Sequence, residues 1–420
     1  MRRPEQAARR ATGGGPGACR ATNVLREVTR VQSAAPDTTA TGPADAPPPT
    51  PVERLTWRHP RKDAGGTGLP TPMTKTLLAV DGNSLIHRSF HALAGSQLRT
   101  RDGRPTWAVK GALAQVLGAV DRVGADAVVV GFDDAAGNVR RDAHPHYKAH
   151  RAEKPGDLVT QLALAVDVFW SAGLHVVIPD GLEADDVLAS AASAATAAGW
   201  HTVVCTSDRD AFALVDETTS ALRIINGGVE ASPVLTPERL RILTGIDPWQ
   251  YRQYAAMRGD ASDNLTGIRG VGPKTAVALL NAFGSVDAAF ADVDTNGGAR
   301  VAEVVGTACV RKLADPEGRA RFWENVELMT MRTDLDLEMD LTAASGPGLL
   351  PVDPQALQDA LADVEFGSLQ MLAARLLTST PVGAGGDARA TPVAPWDEPS
   401  AAATVAAAPA EPPVDELTLF

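Results

Sequence analysis

Nine acidic residues in this chain stand where short apolar runs give out. Asp81 follows TLLAV (76–80), Asp133 follows the run ending at 132, and Glu183, Asp185 and Asp186 open the stretch beyond LHVVI (174–178). Asp208 and Asp210 follow HTVVC (201–205), and Asp260 and Asp263 flank a later loop, GDASDN. An oxygen-only donor set, with neither Cys nor His spaced to join it, suits a hard ion, Mg²⁺ or Mn²⁺, that keeps several waters. Two or more such ions held by carboxylates about 3.5–4 Å apart drive in-line displacement at phosphorus. Each acid alone has a plainer reading, as a helix N-cap or a first-turn residue favoured by the helix dipole. That reading weakens when four successive runs deliver acids to one edge, because gathered carboxylates repel and raise one another's pKa unless a cation compensates. Glu183 and Asp186 also share a helical face at i, i+3.

The elements that must position these acids alternate. TLLAV, 126–132, 174–178, 201–205 and LRIIN (222–226) are short β-branched runs bounded by Gly, Asp or Pro, and helical periodicity fills 84–93, 108–123, 157–171 and 183–198. This pattern predicts an α/β fold with a mostly parallel sheet covered by helices. Ligands of such sheets bind beyond the carboxyl ends of the strands, where the acids stand.

Length and charge set the limits. The 420 residues allow two or three domains, and the net charge is −12. Residues 1–72 carry +5, 381–420 carry −5, and 73–380 hold −12, which falls to −3 once the nine acids are set aside. The expected organisation is a disordered Gly/Pro/Ala-rich extension over 1–72, a compact middle over 73–380 and a disordered tail over 381–420. Met73 is the expected true start. No apolar run approaches the roughly 18 residues of a membrane span, so no membrane partner is expected. Cys19, Cys205 and Cys309 form no C-x-x-C pair and suit a reducing cytoplasm.

Two further segments handle phosphate. Gly267-Ile268-Arg269-Gly270-Val271-Gly272-Pro273-Lys274-Thr275 is a glycine hairpin opening a helix, which turns backbone N–H groups outward to a phosphate, with Lys274 adding charge. A P-loop needs Gly directly before Lys, and Pro273 intervenes. A purely structural helix–turn–helix is the alternative. The second segment runs from Arg140 through Tyr147, Lys148 and Arg151 to Lys154, offering stacking and cations on neighbouring faces of a helical turn. Its alternative is a solvated basic surface helix.

Taken together, VDGNSLIHRSFHAL, GFDDAAGNVRRDAHPHYKAHR, GLEADD, TSDRD and RGDASDNLTGIRGVGPKTAVALL resemble, in order, the 5′-nuclease family, which includes the N-terminal domain of bacterial DNA polymerase I and the flap endonucleases. The likeness spans roughly 75–378 and implies a PIN-like metal-binding α/β domain over 73–235, a helical DNA-binding subdomain over 236–380, and a divalent-metal-dependent (Mg²⁺ or Mn²⁺) 5′-3′ exonuclease and flap endonuclease acting on DNA in primer removal and repair. By resemblance, Asp81, Asp133, Glu183, Asp185 and Asp186 form the first metal group, and Asp208, Asp210, Asp260 and Asp263 the second. Lys148 and Arg151 match the cations that steer the scissile phosphate, and Tyr147 the base-stacking aromatic. Arg140, Gly267, Gly270, Gly272, Lys274 and Thr275 fall to DNA binding, with K⁺ at the hairpin. Asp134 stands where the family has Ala, and Ser207 where it has Gly. The terminal Glu416, Leu417, Leu419 and Phe420 resemble a sliding-clamp peptide, with Glu in place of Gln and an accidental apolar terminus as the alternative. The expected partners are DNA with a 5′ flap or end, an RNA primer and the clamp, and the expected state is a monomer. A catalytically weak DNA-binding homologue is the rival function; a toxin-type ribonuclease would lack the glycine hairpin.

Overall fold

The computed structural model describes residues 75–379 together with the strand Thr29–Val31. The sheet holds seven strands: β1 (Thr29–Val31), β2 (Thr76–Asp81), β3 (Ala127–Gly131), β4 (His175–Pro179), β5 (His201–Thr206), β6 (Thr219–Arg223) and β7 (Val234–Leu235). Their order is β1-β4-β3-β2-β5-β6-β7, parallel throughout except for β7. Nearly every residue of β2, β3 and β5 is buried, as a sheet covered on both faces requires. Helices α1 (Gly82–Ala92), α2 (Trp107–Val123), α3 (Val139–Ala143), α4 (Gly156–Ser171), α5 (Ala184–Ala197) and α6 (Gly228–Ala231) fill the connections.

The four main helices and first four predicted strands fall where the periodicity puts them, within a residue or two. The fifth strand does not. It lies over 219–223 instead of 222–226, because Asp216 folds the chain back by accepting the N–H groups of Thr218 and Thr219 and so starts pairing at Thr202↔Thr219. Thr219 and Ser220, polar by type, are buried in the sheet. The strand Thr29–Val31 lies inside the segment expected to lack structure; the rest of 1–72 and all of 381–420, with the clamp peptide, lie outside the described residues.

The helical part contains α7 (Pro237–Thr244), α8 (Tyr251–Arg258), a two-strand ladder of β8 (Gly259–Asp260) and β9 (Leu265–Thr266), and then α9 (Pro273–Phe283), α10 (Val286–Asn296), α11 (Ala299–Val305), α12 (Thr307–Ala314) and α13 (Pro316–Leu328). These bury a core around Met257, Leu280, Leu313 and Phe322 that also takes in Phe212, Ala221 and Leu235 of the α/β unit. Its expected extent, 236–380, is too long. Leu335, Leu337, Leu341 and Leu349 pack with α5 on one face of the sheet. On the other face, α14 (Pro354–Asp363) and α15 (Gly367–Leu377) join the core of α2 and α4 through Leu357, Leu361, Phe366 and Leu377. The chain thus leaves the α/β unit and returns to it, because apolar residues beyond 334 match sheet faces that the first 235 residues leave uncovered. Among the described residues no single helix is long and apolar enough to cross a membrane.

Candidate metal centre and cleft

Parallel strands β2, β3, β4 and β5 all end at one edge of the sheet, and a cavity of about 1120 Å³ opens there. Asp81, Asp133, Asp185, Asp208 and Asp260 line it, facing Lys148, Arg151, Lys154, Arg88, Arg209 and Arg258. A smaller recess adjoins it, lined by Glu183, Asp210, Asp263, Tyr147, Arg140 and again Asp185. Eight of the nine predicted acids therefore reach one composite site.

Asp81 satisfies both of its readings. It caps α1, accepting the Ser84 N–H at 2.8 Å on Oδ1, while Oδ2 accepts the Thr206 hydroxyl at 2.7 Å. Close packing behind it explains Gly82, where a Cβ would fall 2.5 Å from the Phe132 ring. Asp133 is gripped by Asn83, whose Nδ2 donates to Oδ2 at 2.6 Å, and by the Ala184 N–H, which donates to Oδ1 at 2.9 Å. Both carboxylates line the cavity and keep lone pairs that no described residue fills. Burial, reinforced by Asp133 and Asp208, pushes Asp81 up to about 7. Asp185 is raised well above the usual range by burial and then by Asp208 and Asp81, and Asp210 by burial and then by Asp208, Asp260 and Asp263. Neither Asp185 nor Asp210 accepts a hydrogen bond on its side chain from a described residue. Buried charge without donors is strongly disfavoured unless a cation answers it. The donor set thus fits a hard divalent ion. No three such groups among the described residues already converge on one chelation point. Like charges hold one another apart, and an ion that keeps water in its shell bridges wider gaps.

Two acids are committed elsewhere. Asp186 Oδ1 accepts from Arg140 Nη2 at 2.7 Å and the Arg332 N–H at 2.7 Å; its Oδ2 accepts from Arg140 Nη1 at 2.7 Å and the Glu183 N–H at 3.1 Å. Four donors fill the four lone-pair positions of a carboxylate, so Asp186 has none left for a metal. It is an anchor, contrary to its predicted place in the first metal group. Glu183 is similarly filled, by Asn138 and Lys148 on Oε1 and by Tyr147 and Arg140 on Oε2. Burial works against its ionisation, but Lys148 and Arg140 outweigh that and hold it below the usual carboxylate range.

The basic segment departs from its predicted helical turn. After α3 the backbone runs through turns, and Lys148 sits in the left-handed region at φ 56°, its N–H bonded to the Asp263 carbonyl. Lys148 Nζ lies 2.6 Å from Glu183, and Arg151 Nη2 lies 2.5 Å from Asp263 Oδ1. Tyr147 is only 4% exposed, with its ring in the core of the helical part and its hydroxyl on Glu183. The expected stacking face is therefore covered. Arg140, expected on DNA, is buried against Asp186 and also donates to the Thr330 carbonyl at 2.8 Å.

The glycine hairpin lies between β9 and α9, and none of its residues lines either cavity. Gly267 is required by contact: a Cβ there would fall 2.2 Å from the Met257 carbonyl oxygen. Gly272 caps α9, and Lys274 is exposed on its first turn, with Thr275 beside it. Lys312 donates to the Gly270 carbonyl at 2.7 Å, so an ammonium already occupies one hairpin oxygen. Thr206, Asn83, Asn138 and the segment 330–332 were not foreseen as parts of the site. The spacing of Asn83 two residues after Asp81 was the one available signal.

Residues 76–241 match the family model described as 5′-3′ exonuclease, N-terminal resolvase-like domain, and residues 246–348 match 5′-3′ exonuclease, C-terminal SAM fold. The thermostable DNA polymerase I of Thermus aquaticus is 36% identical over 293 residues, covering 70% of this chain and 32% of that protein. DNA polymerase I of Mycobacterium bovis is 33% identical over 298 residues, covering 70% and 31%. The chain spans about a third of the length of the curated relatives it matches. A crystal structure of the T5 D15 protein with metal ions superposes at a TM-score of 0.49 and 18% identity, over 72% of this chain and 98% of that one. The paired domain matches, in sequence order and over most of the described residues, make this chain a member of the 5′-3′ exonuclease family.

Proposed function

We propose that the protein is a divalent-metal-dependent 5′-nuclease that cuts DNA phosphodiester bonds at 5′ ends and 5′ flaps, leaving 5′-phosphates. The single observation that carries this is the pair Asp185 and Asp210, half-buried in the cleft, raised and without donors from described residues, beside a wall of cations. Mg²⁺ or Mn²⁺ would be held by Asp81, Asp133 and Asp185 on one side and by Asp208, Asp210, Asp260 and Asp263 on the other. Bound there, the metal supplies Lewis-acid activation at phosphorus and neutralises charge on the leaving oxygen.

The protein's own groups do the rest. Lys148 and Arg151 are parked on Glu183 and Asp263. An incoming phosphodiester competes for these cations, which turn to the developing negative charge at phosphorus and are worth most there. Their departure frees lone pairs on Glu183 and Asp263, so substrate entry and metal ligation support each other. Lys274 and the Gly272 end of α9 grip the duplex backbone at a distance from the cut. Primer removal and repair are the processes such an activity serves, an RNA primer being one substrate. The Glu416–Phe420 peptide would bring the sliding clamp, and the enzyme would act as a monomer.

The test is cleavage of a 5′-labelled flap duplex with and without Mg²⁺, mapping the cut. Metal-dependent incision near the flap junction is expected. Tight binding without incision at any metal concentration would instead assign a non-catalytic homologue.

A further inference from the structure

The two metal groups come from different strands, and one buried hydroxyl joins them. Thr206 ends β5 and is 1% exposed. The β2–β5 register pairs Val80 with Cys205, which sets Asp81 beside it. Its Oγ1 lies 2.7 Å from Asp81 Oδ2 and 3.0 Å from the Asp208 backbone nitrogen. The direction of both bonds is fixed by inventory. A backbone N–H can only donate, so the hydroxyl accepts from Asp208, and its single proton is left for Asp81. A second contact runs alongside, where Ser84 Oγ accepts the Ser207 N–H at 3.0 Å.

We infer that Thr206 is a positioning residue for the metal centre: its hydroxyl aims the Asp81 carboxylate and fixes the turn that carries Asp208, locking the spacing between the two groups. The inference rests on the divalent-metal reading above. It adds that the two groups are not set independently: one hydroxyl donates to Asp81 and accepts from the Asp208 N–H, with the Ser207–Ser84 contact beside it. Partners that orient ligands in this way are worth about ten- to a hundredfold in metal affinity.

The experiment measures Mn²⁺ binding to the full chain without DNA, by calorimetry and by the rise in melting temperature on adding metal, for wild type, Thr206→Val and Thr206→Ser. Valine keeps the branched shape and β-strand preference but removes the donor; serine keeps the donor. The expected result is about ten- to a hundredfold weaker Mn²⁺ binding in Thr206→Val, a correspondingly smaller melting shift, and recovery toward wild type in Thr206→Ser. Thr206→Ala serves the same comparison should valine disturb β5. Equal Mn²⁺ affinity in wild type and in the folded donor-less variant overturns the inference, as does a loss in Thr206→Ser as large as in Thr206→Val, which would signify packing. Absence of Mn²⁺ binding by wild type would instead remove the metal reading itself, so the two failures are told apart.

Discussion

Lys148 Nζ stands 2.6 Å from Glu183 Oε1 and 3.8 Å from Asp263 Oδ2, so a single ammonium spans carboxylates from the α/β unit and the helical part. Burial opposes its charge, but Glu183 and Asp263 prevail and hold its pKa above the ordinary lysine value. It is therefore a fixed cation at the pH of catalysis, not a proton shuttle. Lys148→Ala is expected to slow single-turnover cleavage by about 10²–10³-fold while DNA binding changes little, because the charge acts on the transition state. Loss confined to substrate affinity would contradict this role.

Asp185→Asn should separate stability from function. The wild-type carboxylate is half-buried, raised by burial and then by Asp208 and Asp81, and accepts no hydrogen bond from a described residue. A neutral amide relieves that repulsion, so the metal-free variant is expected to melt a few degrees higher. Cleavage should fall to background. Thermal melts in EDTA beside flap assays in Mg²⁺ check both halves.

The pH dependence of the metal-free protein follows from Asp81, whose pKa is raised to about 7 in the fold against about 3.9 in an unfolded chain. The folded state takes up the proton first as pH falls, so this group's contribution is full below about pH 4 and is lost as pH rises through about 7. Against Asp81→Asn, wild type should therefore lose stability progressively between these limits. Denaturant melts of both proteins in EDTA measure the difference, and a constant gap across the window would refute the assignment.

Arg140 and Asp186 form a buried bidentate pair, 11% and 0% exposed. Removing one partner strands the other, so Arg140→Gln is expected to destabilise the fold by about 3–5 kcal/mol. The salt dependence of DNA binding by the protein that remains folded should not change. Lys274→Ala is expected to do the opposite, leaving stability within about 0.5 kcal/mol and making the log–log salt slope shallower by about one unit.

The Lys312 ammonium donates to the Gly270 carbonyl at 2.7 Å, so one hairpin oxygen is already answered by a cation. Binding of a flap duplex is expected to be alike in K⁺ and Na⁺ at equal ionic strength. Lys312→Met should weaken binding and make it respond to K⁺. A strong K⁺ preference in wild type would overturn this.

Much of the site was legible because Asp at a strand end is both a local signal and a chemical one. Asp81, Asp133 and Asp208 follow buried strands whose apolar runs are unambiguous, and parallel topology then gathers their ends. What escaped depends on contacts distant in sequence. Asp186 has the same type and spacing as its neighbours, but Arg140 and the Arg332 N–H claim it, and no local pattern reports a donor 146 residues away. Tyr147 sits beside two cations in sequence and would be exposed on a regular helix. The turns around Lys148 point it instead into the core of the helical part. Thr206 was hidden for another reason, since a strand-ending Thr is commonplace until its neighbour across the ladder is known.

The helices over 354–377 lie last in the described chain, yet they complete the hydrophobic interior beneath the acid-lined edge: Val352 donates its N–H to the Leu377 carbonyl, and Phe366 is 1% exposed among residues of the first unit. The helical part is thus spliced into the α/β unit with two tethers rather than appended by one. A hinge made of a single linker swings freely; a double attachment permits only rocking about the line joining its two ends. The distance from the glycine hairpin to the acid-lined cleft is therefore held like the gap of a pair of callipers, and removing 354–377 would loosen the sheet unit before the helical part.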